Sequence, residues 1–226
     1  MTLPSHHPSV SVRTDTAESK DLNPSSKDAA GWFRLGSDYQ AQGKLGEARR
    51  HYEGALRLDP DFAEAHYRLG TILAEQGARD QAVWNYRQAV RLKPDHYDAL
   101  AALALALAVQ GAVDEAVAHF RAALQVRPDS AQTYHNLGVA LAQLGRPEEA
   151  AEALRQALQY KRDYAAAFLN LGNVLSSQKK YSEAAEAFRQ AVRLNPDCFE
   201  GLNNLGFALN ELGKAGEAAV FLRHAV

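Results

Sequence analysis

The side chains here best placed to do chemistry are amides, guanidinium groups and imidazoles. Asn136, Asn170 and Asn204 stand 34 residues apart, within the runs HNLG, LNLGN and NNLG. Asparagine is a mediocre helix former, so its return at a fixed interval asks for a reason. A side-chain amide both donates and accepts hydrogen bonds, and a row of them can hold the main chain of an extended peptide whatever its sequence. Asn173 and Asn203 lie beside that row. Arg34 and Arg68 are also 34 apart, with Tyr67 next to the second, and could neutralise an acidic segment.

The other reactive types point away from catalysis. There are eight histidines; His6 and His7 are in the leader, and the rest lack the short pair spacing of a zinc site. Cys198 is the single cysteine, which excludes an internal disulfide and a cysteine-rich metal centre. It reads as a small residue at a helix start. No nucleophile motif or glycine-rich phosphate loop is present, and acids and bases recur on solvent faces. No catalytic activity, cofactor or metal is expected of these residues.

Charge and hydropathy narrow the class further. The chain of 226 residues has 25 basic and 27 acidic side chains, a net charge of −2, so no global basic field recruits nucleic acid or an anionic membrane. The run ALAALALALAV is well short of the roughly 18–20 residues that span a bilayer. The first twenty residues have neither a basic start nor a continuous apolar stretch, which disfavours a secretory signal and makes the cytoplasm the expected location. Forty-two alanines and only eight prolines favour helices.

The elements that must position the amides follow from the same interval. Pro60, Pro94, Pro128 and Pro196 fall on one 34-residue register, with Arg162 at the remaining place, and Asp follows each: Asp61, Asp95, Asp129, Asp163 and Asp197. Leu35, Leu69, Leu103, Leu137, Leu171 and Leu205 form a second column, and Ala48, Ala82, Ala116, Ala150, Ala184 and Ala218 a third. The layout is a leader at 1–28, taken as disordered for its Ser, Thr and Pro, then repeats at 29–62, 63–96, 97–130, 131–164, 165–198 and an incomplete 199–226.

Each repeat reads as two helices. In the fourth, Tyr134, Leu137, Leu141 and Leu144 form one apolar stripe and Ala150, Leu154, Ala157 and Leu158 another. Between the helices stands Gly43, Gly77, Gly111, Gly145 or Gly213, suited to a left-handed helix end, with Lys179 the exception. The Pro-Asp pair is expected to end one helix and cap the next, Asp61 with Glu64, Asp129 with Gln132 and Asp197 with Glu200 having capping-box spacing. Gly36, Gly70, Ala104, Gly138, Gly172 and Gly206 inside predicted helices imply close backbone approach. No repeat can bury its faces alone, so the pairs must stack into an α-solenoid.

These columns, W/Y/F–x2–L–G–x2–Y/L, then A–x3–F/Y–x2–A, then P, resemble the tetratricopeptide repeat over residues 29–226. The resemblance implies an all-α, right-handed superhelix whose first helices line a concave groove. It also implies which positions face that groove. The sixth positions are Arg34, Arg68, Ala102, Asn136, Asn170 and Asn204; the fifth include Tyr67, His135 and Asn203, and the ninth Leu105 and Asn173. The groove would thus run from aromatic and basic, through apolar, to amide. The amide part resembles the asparagine ladder in the superhelix of O-GlcNAc transferases, matched here in three of six repeats. The fifth positions hold no Lys, unlike the carboxylate-clamp members that grip chaperone tails.

The expected function is a scaffold that binds a protein or peptide segment in the groove. The alternative is the N-terminal targeting arm of a larger enzyme, such as a glycosyltransferase or other group-transferase. The sequence stops at the twenty-eighth position of the sixth repeat, with Phe207, Phe221, Leu222 and Val226 lacking a following helix. That arrangement suggests a longer parent chain, or self-association through this end.

Overall fold

The structure, a computed structural model, describes residues 28–224; the leader apart from Asp28, and Ala225 and Val226, lie outside the described residues. Among the described residues there are twelve helices and no strands. Six first helices, each of 13 residues, are α1 (Ala29–Ala41), α3 (Ala63–Glu75), α5 (Tyr97–Val109), α7 (Ala131–Gln143), α9 (Ala165–Ser177) and α11 (Phe199–Glu211). The second helices are α2 (Leu45–Leu58), α4 (Arg79–Leu92), α6 (Val113–Val126), α8 (Pro147–Tyr160), α10 (Tyr181–Leu194) and α12 (Ala215–His224). The pairs stack in chain order, each second helix lying between its own first helix and the next.

Within a pair, a missing side chain sets the crossing. A Cβ on Gly172 would stand 2.4 Å from Cε1 of Phe188, and one on Gly70 2.8 Å from Tyr86. The same close approach occurs at Gly36 to Tyr52, Gly138 to Leu154 and Gly206 to Leu222. In the third repeat Ala104 and Phe120 hold the two corresponding positions, and both are buried. The first helix thus gives up helix propensity so that a large side chain of the second can lie against its backbone. The alanine column from Ala48 to Ala218 is buried along its whole length.

The turns behave as expected at one end and differently at the other. Gly43, Gly77, Gly111, Gly145 and Gly213 have φ between +68° and +85°, and Lys179 adopts +60° in the same left-handed place. The Pro-Asp pairs, however, do not cap. The capping position is one residue later, at Phe62, His96, Ser130, Tyr164 and Cys198. The Pro-Asp unit is spent on the tight turn, so Asp61, Asp129 and Asp197 sit outside the helix and the capping boxes do not form. Asp28 holds the equivalent place of the first repeat, and its Oδ1 accepts from Gly31 N at 2.7 Å. Ser130 Oγ accepts from Thr133 N at 3.2 Å and Cys198 Sγ from Gly201 N at 3.4 Å, while Phe62 and Tyr164 offer no side-chain acceptor.

Curvature follows from unequal spacing. From α3 onward consecutive first helices touch each other, whereas consecutive second helices do not approach comparably. The first helices therefore line the inside of an all-α superhelix. Two substitutions should have opposite signs in urea denaturation. Lys179→Gly relieves a left-handed residue and should stabilise by about 0.5–1 kcal/mol. Gly172→Ala, although a gain in helix propensity, must push aside the buried Phe188 ring and should destabilise by about 1–3 kcal/mol.

Candidate peptide groove

The amides are placed on the inner face but do not form one continuous ladder. Two side-chain networks cross the first helices instead. In the first, Tyr164 Oη donates to Gln132 Oε1 at 2.8 Å and Gln132 Nε2 donates to Asn136 Oδ1 at 3.0 Å. His135 Nδ1 lies 3.3 Å from the same Asn136 oxygen, and Asn170 Nδ2 lies 2.8 Å from His135 Nε2. With Asn170 donating, His135 is the neutral tautomer that carries its proton on Nδ1. In the second, Asn204 Nδ2 donates to Asn173 Oδ1 at 2.8 Å and Asn173 Nδ2 to Glu200 Oε1 at 3.1 Å. Asn203 is exposed and donates to Asn204 Oδ1 at the long distance of 3.5 Å.

Asn170, Asn173 and Asn204 thus spend part of their capacity on a neighbouring repeat, and Asn136 on its own helix. Among the described residues, Asn136 Nδ2 and Asn170 Oδ1 keep no side-chain partner. One is a donor and the other an acceptor, the pair that an extended main chain needs.

The opposite end of the groove is less basic than its arginines suggest. Arg68 Nε donates to Glu64 Oε1 at 2.8 Å, and the other oxygen of Glu64 takes His96 Nε2 at 2.9 Å. The Arg68 guanidinium also lies over the Tyr67 ring, 5.5 Å from its centroid. Arg34 is exposed and has no ion-pair partner among the described residues. The middle is apolar as expected: α5 presents Leu105 at 51 % and Val109 at 60 % exposure beside the half-buried Ala101 and Ala102. Phe207 is half exposed and edge-on to Tyr181 at 6.0 Å.

Sequence reasoning missed the partners rather than the column. Gln132, Tyr164, Glu200 and Glu64 hold the groove residues, and three of them share one repeat position, the second. Tyr97 likewise ties α5 to α7, its Oη 2.7 Å from both Ser130 Oγ and Thr133 Oγ1. A search for polar residues one period apart that differ by a few positions would have found these bridges. No group of three or more metal-ligating side chains occurs among the described residues, and no helix among them is long and apolar enough to cross a membrane.

Stacked helix pairs with a glycine in the first helix, an aromatic in the second and a polar inner face define a helical-repeat scaffold. Tetratricopeptide-repeat profiles match residues 36–77, 63–96, 96–163 and 165–198, and the chain belongs to that family. No curated protein sequence matches it significantly. Many solved structures share the fold. PilF of Pseudomonas aeruginosa is 21 % identical with a TM-score of 0.71, covering 85 % of this chain and 88 % of its own. MamA of Desulfovibrio magneticus RS-1, from its residue 41 to its end, is 22 % identical with a TM-score of 0.70, over 77 % of this chain and 98 % of that one. YrrB, a TPR protein with an unusual peptide-binding site, is 20 % identical with a TM-score of 0.70, over 77 % and 90 %. At these identities the likeness is one of fold.

Burial lowers the pKa of His135 below its ordinary 6.5, opposed only in part by the hydrogen bond to Asn136. The unfolded chain therefore takes up this proton first as pH falls, so the stability tied to neutral His135 is full above 6.5 and declines below it. Chemical denaturation of the wild type should show a loss between pH 7.5 and 5.5 that is smaller in His135→Gln. Equal losses in the two proteins would detach His135 from this behaviour.

Proposed function

We propose that the concave face binds an extended segment of a protein partner, gripping its main chain through Asn136, Asn170, Asn173 and Asn204. The observation that carries this reading is the half-used amides: Asn136 is fixed by its own helix and Asn170 by the preceding repeat, yet Asn136 Nδ2 and Asn170 Oδ1 keep no side-chain partner. Fixing them beforehand lowers the ordering cost of binding. The amide row also resembles the ladder by which O-GlcNAc transferases hold substrate backbone. The peptide-binding site of YrrB supports the same use of the fold. Along the groove, Leu105 and Val109 would receive an aliphatic side chain of the segment. Arg34 and Tyr67 would meet its other end, with Arg68 contributing less because Glu64 already holds it.

Three repeats at roughly 10 Å each match about nine extended residues, so a fluorescent nonapeptide library is a suitable probe. Asn136, Asn170 and Asn204 changed together to Ala should weaken binding about ten- to a thousandfold, from about 0.5–1.5 kcal/mol per hydrogen bond. The loss should be similar across peptide sequences, because the contacted groups are backbone. Alanine restores helix propensity as the bridges are lost, so melting should stay near that of the parent. Arg34→Ala should instead weaken acidic peptides selectively, and less at high salt. Unchanged anisotropy curves for the triple variant would remove the amides from the binding site.

A further inference from the structure

The convex face carries a periodic set of bridges with one member replaced. At four consecutive junctions an arginine of one second helix reaches the glutamate 28 residues on. The pairs are Arg87–Glu115 at 2.9 Å, Arg121–Glu149 at 2.7 Å, Arg155–Glu183 at 3.2 Å and Arg189–Glu217 at 3.3 Å. Between α2 and α4 the same two places are Glu53 and Gln81. Glu53 Oε1 instead accepts from Arg49 Nε at 2.8 Å on its own helix, and Arg49 Nη1 donates to Gln76 Oε1 at 3.2 Å.

The space that an arginine bridges elsewhere is an open slot here. Leu69 and Leu73 form its floor, Trp84 one wall, and Glu53 and Asp80 stand at its rim. Trp84 is 56 % exposed, where the following repeats have Ala118, Glu152 and Glu186. Its indole is not loose: His66 packs edge-on at 5.6 Å, itself fixed at 3.0 Å from both Asn85 Oδ1 and Pro60 O. Asp80 Oδ1 accepts from Gln110 Nε2 at 2.8 Å. Among the described residues, Glu53 Oε2 and Asp80 Oδ2 keep no partner.

We infer that this slot receives an arginine side chain of a protein partner, its stem against Trp84 and its guanidinium at Glu53 and Asp80. Three properties of the slot select that group. A fixed, exposed indole face attracts a guanidinium. An aliphatic stem covers the apolar floor while the charged head stays at the rim. Two carboxylate oxygens suit a forked donor better than a point charge. The fold itself fills the corresponding space with arginine at every other described junction. The slot lies on the face opposite the amides, so a partner can occupy it whether or not the groove is filled.

The test titrates the full chain with the peptide acetyl-Ala-Leu-Arg-Leu-Ala-amide and with its citrulline counterpart, which keeps the shape and loses the charge. The readout is the Trp84 indole resonance, assigned with Trp84→Phe. The arginine peptide should shift that resonance saturably and bind about fivefold or more tightly than the citrulline peptide. Glu53→Arg combined with Gln81→Glu installs the fifth bridge and should abolish the response while melting no lower than the parent. Trp84→Ala, which lacks the reporting indole and is therefore titrated with the same arginine peptide by isothermal calorimetry, should bind more weakly than the parent even if the double variant folds poorly. Equal binding of both peptides, absence of a saturable shift, or a folded double variant with parental affinity would overturn the assignment.

Discussion

The architecture depends on a side chain that is not there. Because the eighth residue of each first helix is glycine or alanine, the ring or branched side chain of the second helix can sit on its backbone, as Phe188 does at Gly172 and Tyr86 at Gly70. Close crossing at that point fixes each pair as a unit. It also leaves the pair with two uncovered apolar flanks that only a neighbouring pair can bury. Stacking, curvature and the division into an inner and an outer face all follow from that requirement.

The two faces are bridged by different chemistry because their gaps differ. On the inside, where first helices touch, a side chain as short as asparagine suffices: Asn204 reaches Asn173 and Asn170 reaches His135. On the outside, the longer arginine and glutamate side chains cross between second helices at four junctions. One such glutamate, Glu149, is shared by Arg121 and Arg146, and the Arg146 hydrogen bond holds its carboxyl below the usual carboxylate range.

The fold was almost fully legible in the sequence because its signals are periodic. The proline register, the helix-end glycines and the alanine columns repeat four, five and six times, so one ambiguous place, such as Lys179, does not obscure the pattern. Helix starts were less legible: Pro-Asp is a strong local signal for a cap, yet the turn consumes it and passes the cap to Ser130 or Cys198. The site was legible as a column and not as a network. Periodicity located Asn136, Asn170 and Asn204, but the bonds of Asn170 and Asn204 run to residues at other positions of the preceding repeat, and those bonds depend on how far one pair is rotated against the next. The arginine–glutamate bridges escaped for a related reason, since their 28-residue offset is visible only when two columns are compared.

The outer bridges have a mechanical consequence. Their side chains are roughly 40–57 % exposed, and exposed ion pairs of this kind are individually weak and screened by salt. Consecutive first helices touch directly from α3 onward, so the solenoid behaves as a strip hinged along its inner edge and loosely sprung along its outer one. Flexing it stretches arginine–glutamate pairs at small cost and leaves the glycine–aromatic crossings intact. Its pitch therefore responds to ionic strength before its core does, and the width of the groove is an elastic property set from the far side of the molecule.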